Sequence, residues 1–267
     1  MPTREHAPLG SPCWTDLWTS DVEGSRTFYS ELFGWEAQEP NPDFGGYFMF
    51  TRHGIPVAGA MGGMGDMTPD NRWKVFLDTD DITATLKAAE ADGGQIVAGA
   101  MPVADLGIQA VVLDPAGATV GVWQAGTFPG FTVTDEPGAP SWFELHTRGY
   151  TSAVAFYRSV FRWTTTVVSD TDEFRYSTMS HPDLDPHTDQ GADSALAGIF
   201  DAAATLPAGA PSYWSVYWEV DDTDAALSRV GTLGGSVRAA AEDTPYGRIA
   251  TVADPTGAEF KLRTGPR

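Results

Sequence analysis

Apolar and polar positions along the chain switch repeatedly between a two-residue period and a helical one. Residues 13–18, Cys-Trp-Thr-Asp-Leu-Trp, give a strand signal. A helix is predicted over 21–33, where Val22, Phe28/Tyr29 and Leu32/Phe33 recur at helical intervals. Ser20 and Glu23 stand at capping-box spacing at its start. Residues 47–51 and 55–60 read as strands. The cycle then repeats, with a strand at 73–79 and a helix at 82–92 that Gly93-Gly94 stops. Strands at 110–113 and 119–124 flank an Asp114-Pro-Ala-Gly turn.

The whole pattern occurs twice. Trp14-Thr-Asp-Leu-Trp, Phe28-Tyr29 and Phe33-Gly-Trp35 return as Trp142-Phe-Glu-Leu-His, Phe156-Tyr157 and Phe161-Arg-Trp163, at a constant offset of 128. Trp73 through Asp81 returns as Trp214 through Asp222, and Gly93-Gly94 as Gly234-Gly235, both at 141. Asp114-Pro-Ala-Gly-Ala returns as Asp254-Pro-Thr-Gly-Ala at 140. The jump in offset places an insertion in the second copy, assigned here to 181–194. Two domains are expected, over 1–127 and 138–267, with a Gly/Pro/Thr-rich linker between them. Each consists of two strand-helix-strand-strand-strand units.

This order resembles the vicinal oxygen chelate superfamily, which includes glyoxalase I, bleomycin-resistance proteins, fosfomycin-resistance enzymes and extradiol dioxygenases. The matching residues are Asp21, Phe28-Tyr29 and Gly34, then Asp-Asp before the second helix, Gly-Gly after it, and Asp-Pro-x-Gly before the last strand. A two-domain bacterial group labelled glyoxalase-like or hydroxylase is similar. The resemblance implies an α+β fold of tandem domains, in which four βαβββ units form two curved mixed β-sheets with flanking helices. It also implies metal ligands at three strand positions in metal-using members. Here those positions hold Trp14, Lys74 (or Trp73) and Gly121 in copy one, and Trp142, Ser215 (or Trp214) and Lys261 in copy two. None is an imidazole or carboxylate, which a divalent metal requires. No metal and no cofactor are therefore expected.

Residues two apart on a strand share a face. Trp14, Asp16 and Trp18 share the ligand-bearing face of copy one with Lys74 and Trp123. Trp142, Glu144 and His146 share that of copy two with Tyr217, Glu219, Lys261 and Arg263. Aromatic faces with a few polar groups suit a planar or apolar organic ligand. Glu144 and His146 are the acid-base candidates, the carboxylate expected to orient the imidazole and raise its pKa. Two pairings of the units remain open. Pairing within a copy sets Glu144 and His146 against Tyr217 and Glu219; pairing across copies sets them against Lys74 and Trp123.

Composition narrows the partners. Acidic residues outnumber basic ones 36 to 16 in 267 residues, a net charge of −20. That excludes clustered phosphate contacts, so no nucleic acid is expected, and no anionic membrane surface. No apolar run reaches spanning length. Cys13 is the single cysteine, and the first residues lack an apolar signal core, so a reducing, cytoplasmic setting is expected. The glycine-rich stretch 59–65 lacks the phosphate-loop pattern and reads as a loop, with Met61, Met64 and Met67 as adaptable contacts near a pocket mouth. Asp183, Asp185 and Asp189 lack EF-hand spacing. The expected function is metal-independent binding of a small hydrophobic or planar molecule by a monomer or homodimer. The alternative is a cofactorless lyase, isomerase or hydroxylase using His146 and Glu144. A metal-dependent glyoxalase or dioxygenase fits the ligand positions least.

Overall fold

The computed structural model describes residues 6–65, 67–181 and 195–266. Copy one runs β1 (Pro12–Trp18), α1 (Val22–Phe33), β2 (Glu36–Ala37), β3 (Phe48–Arg52), β4 (Ile55–Met61), β5 (Arg72–Asp78), α2 (Ile82–Ala91), β6 (Gln95–Val103), β7 (Gly107–Leu113) and β8 (Thr119–Ala125). Copy two runs β9 (Pro140–Thr147), α3 (Tyr150–Val160), β10 (Thr164–Asp170), β11 (Arg175–Ser180), β12 (Ala197–Asp201), β13 (Tyr213–Glu219), α4 (Thr223–Thr232), β14 (Ser236–Thr244), β15 (Gly247–Ala253) and β16 (Glu259–Thr264). Each copy forms one eight-stranded sheet, β2-β3-β4-β1-β5-β8-β7-β6 and β10-β11-β12-β9-β13-β16-β15-β14. The two units of a copy join through antiparallel β1/β5 and β9/β13 pairs. The fold is α+β, built of tandem domains, and the units pair within each copy.

The first helix start departs from the sequence reading. Asp21, one residue after Ser20, is the N-cap, and its carboxylate accepts the Gly24 N–H at 2.9 Å. The Ser20 N–H instead meets Asn71 Oδ1. Asp81 and Asp222 cap α2 and α4 in the same way.

The repeated motifs join the copies. Tyr29 of α1 donates to Asp254 Oδ2 across the molecule at 3.0 Å, and Tyr157 of α3 donates to Asp114 Oδ2 at 3.2 Å. The indoles of Trp73 and Trp214 donate to these same phenol oxygens. Trp35 Nε1 reaches Gly138 O, and Trp163 Nε1 reaches Gly10 O. Phe28, Tyr29 and Phe33 also pack on Phe260. Burying these rings supplies apolar area, and each polar tip finds a partner. The helices therefore cover one face of the sheets, and the opposite, concave face carries Trp14, Asp16, Trp142 and Glu144.

Candidate ligand site on the concave faces

Strand register sets the second concave face in rows. Glu144 lies opposite Ser215 and Gly198; His146 lies opposite Tyr213 and Phe200; Tyr217 lies opposite Trp142 and Lys261. Glu144 is the hub. Its Oε1 accepts from Tyr217 OH at 2.9 Å and from Lys261 Nζ at 3.1 Å. Lys261 Nζ also donates to Tyr217 OH at 2.8 Å. His146 Nε2 lies 2.8 Å from the same Oε1, but off the line of its N–H. The imidazole stacks flat on Tyr213, with centroids 4.8 Å apart, and meets Phe200 edge-on. Trp142 Nε1 donates to Tyr176 OH at 3.1 Å.

The electrostatics separate the two acid-base candidates. Burial alone would raise the Glu144 pKa, but the Lys261 ammonium and His146 outweigh it and hold the carboxyl well below its ordinary value. Glu144 is thus an ion paired with Lys261. Burial pushes the His146 pKa down, reinforced by Lys261 and only partly opposed by Glu144. The expected upward shift is therefore corrected. The imidazole is neutral because desolvation outweighs its carboxylate neighbour, which Lys261 already balances.

Glu219 and Arg263 do not join this hub. Glu219 Oε1 accepts the Gly265 N–H, and Arg263 donates to Tyr246 O and Ser141 O at the end of the strands. Arg263 Nε is 3.8 Å from Glu219 Oε2.

Copy one also has a carboxylate cluster, but Phe76 and Gly121 stand where copy two has Tyr217 and Lys261, and among the described residues no histidine joins it. Trp14 Nε1 donates to Asp16 Oδ1 at 2.9 Å, and Tyr47 OH donates to the same oxygen at 2.8 Å. Lys74 lies opposite Asp16 and holds its ammonium 5.1 Å from the Trp18 ring centre. The linker closes this face. Phe128 packs edge-on against Trp14 at 4.8 Å and accepts the Trp123 indole N–H on its carbonyl, and Phe131 packs on Trp14 as well. Trp14 is 5 % exposed, whereas Trp142 is only half-buried.

Burial raises the Asp16 pKa to about 6, with Tyr47, Lys74 and Trp14 partly offsetting it. Its folded pKa lies above its ordinary 3.8, so its stabilising contribution is present at low pH and lost as pH rises through about 6. Asp16→Asn keeps an acceptor for both donors. Its thermal midpoint relative to wild type is expected to rise between about pH 4 and about pH 8. A pH-independent difference would refute the shift.

Tyr47, Tyr176 and Tyr213 escaped the sequence reading. A signal for the first two exists in the repeat. Gly59 and Gly198 occupy matching places, and a Cβ at either would collide with the phenol beside it. Glycine there makes room for the tyrosine.

The positions at which the resemblance implies metal ligands do not fit a divalent metal. Trp73 and Trp214 point to the helices, which leaves Lys74 and Ser215 on the concave strands. Lys261 brings an ammonium to the third position. Among the described residues, no three His, Cys, Asp or Glu side chains gather as a ligand set. The aspartates of the insertion, 183, 185 and 189, lie outside the described residues.

Two curved sheets of paired βαβββ units, each with a polar cluster on its concave face, define the class. The chain belongs to the Glyoxalase/Bleomycin resistance protein/Dioxygenase superfamily, which it matches over residues 13–122 and 140–262. It is 34% identical to "Putative glyoxylase CFP32" of Mycobacterium tuberculosis, across 98% of this chain and 97% of that protein. It is 36% identical to "Anthracycline biosynthesis protein DnrV" of Streptomyces peucetius, across 95% and 92%. Among solved structures it is similar in fold to the Mn(II)-bound glyoxalase of Novosphingobium aromaticivorans, with a TM-score of 0.64 and 15% identity over 96% of this chain and 82% of that one. The 2,2',3-trihydroxybiphenyl 1,2-dioxygenase of Sphingomonas wittichii RW1 is similar at 0.63 and 14% identity, over 97% and 91%. Among the described residues, no helix is long and apolar enough to cross a membrane.

Proposed function

We propose that the chain binds a planar, polycyclic aromatic small molecule on the concave face of its second copy, without a metal. The observation that carries this reading is the buried Glu144–Lys261–Tyr217–His146 cluster on a face lined by Trp142, Tyr176, Tyr213 and Phe200. A buried ion pair adds little net stability over apolar packing, so its place on an aromatic face points to recognition. The half-buried Trp142, against the covered Trp14, favours copy two. Relatives named for anthracycline biosynthesis point to ligands of this shape. Titrating tryptophan fluorescence with anthraquinone-2-methanol is expected to give saturable quenching with a Kd on the order of micromolar. No quenching and no thermal shift across a panel of planar aromatics, in folded protein, would sink the reading.

A second reading is a cofactorless enzyme. His146 is neutral beside an ionised Glu144, so it can accept a proton while the carboxylate holds the resulting imidazolium. In that case His146→Ala abolishes turnover of the bound ligand. Unchanged turnover would remove His146 from the chemistry.

A further inference from the structure

Lys261 is the cation of the second cluster. Its ammonium has three N–H donors. Glu144 Oε1 and Tyr217 OH account for two. The side chain is 13% exposed. It shares the concave face with Tyr217 and Trp142 through the β16/β13 and β13/β9 registers. Its remaining donor, like His146 Nε2, has no hydrogen bond within the cluster. The cluster as a whole carries no net charge, since Glu144 balances Lys261. A carboxylate ligand would bring an unbalanced charge onto this buried face of a chain already at −20. An uncharged carbonyl oxygen needs only a donor. The third position that suits no metal thus holds a fixed ammonium.

We infer that Lys261 donates to a carbonyl oxygen of the ligand, so that the site takes uncharged quinones and aryl ketones in preference to aromatic hydrocarbons or carboxylates. This rests on the reading of the concave face given above and names its ligand class. A hydrogen bond from a charged donor is worth about tenfold or more in affinity. The ring system lies against Trp142, and the carbonyl sets its orientation.

The test compares anthraquinone-2-methanol, anthracene-2-methanol and anthraquinone-2-carboxylate by calorimetry on the full chain. Wild type is expected to bind the quinone alcohol about tenfold more tightly than either of the others. Lys261→Met alone leaves Glu144 unbalanced, so the Glu144→Gln/Lys261→Met pair is the working variant. In it the preference for the quinone is lost. The carbonyl stretch of the bound quinone, lowered in wild type, returns to its free value. A double variant that keeps the preference, or an unshifted stretch in wild type, overturns the role of Lys261. Equal binding of anthraquinone-2-methanol and anthracene-2-methanol does the same and leaves the concave-face site standing. No binding of either by folded wild type overturns the site itself.

Discussion

Lys261→Met is expected to lower the unfolding free energy by about 3–5 kcal/mol, because it strands the Glu144 carboxylate on a buried face. Glu144 and Lys261 are about equally enclosed, with side-chain exposures of 10% and 13%. The carboxylate would retain Tyr217 and His146, but neither carries a positive charge at neutral pH. The pair itself adds far less than this, since desolvation offsets most of its attraction. Glu144→Gln/Lys261→Met is therefore expected to recover most of the loss. A pH dependence follows. The folded-state pKa of Glu144 is depressed, so its contribution is present above the ordinary value of 4.5 and is lost progressively as pH falls below it. Wild type shows this acid loss and the double variant lacks it. Denaturant titration of all three proteins checks both statements. Equal destabilisation of single and double variants would show lost packing rather than a stranded charge.

Asp254→Ala is expected to cost about 3–5 kcal/mol, from several buried donors losing one acceptor together. Asp254 is 2% exposed. It accepts from Tyr29 OH at 3.0 Å, from the N–H groups of Thr256 and Ala258 at 2.8 and 3.0 Å, and from Thr256 Oγ1 at 2.7 Å. Truncation therefore loosens its own turn and unpairs a phenol of the other copy. Tyr29→Phe removes the cross-copy bond and the acceptor of the Trp73 indole N–H, leaves the Asp254 turn intact, and costs about 1–3 kcal/mol. Asp114→Ala, which unpairs Tyr157 and the Ala116 and Ala118 N–H groups, is expected to act like Asp254→Ala. A loss below about 1 kcal/mol for Asp254→Ala, measured by denaturation, would show that these bonds do not hold the copies together.

These tyrosines and aspartates mark what was legible in the sequence. Phe28-Tyr29 and Asp254-Pro-Thr-Gly identified the repeat and its resemblance. Their pairing across copies was hidden, because strand and helix periods tell which face a residue lies on but not what lies opposite. The phase of Trp142, Glu144 and His146 was readable from alternation on one strand. Tyr213 was not legible, because the repeated motif begins at Trp214 and Tyr213 stands one residue before it. Strands β6 and β14 were not named, since both are exposed sheet edges without an alternating apolar pattern. The direction of the His146 shift was not legible, because sequence shows its carboxylate neighbour but not the depth of burial or the arrival of Lys261 from a strand 115 residues away.

The proposed ligand site is the second concave face. Calorimetric titration of anthraquinone-2-methanol into wild type, Trp142→Ala and Trp123→Ala tests it most directly. Saturable binding to wild type is expected, with a loss of about tenfold or more in Trp142→Ala and little change in Trp123→Ala, whose indole the linker already occupies. Unchanged binding in Trp142→Ala, or a loss confined to Trp123→Ala, would contradict it.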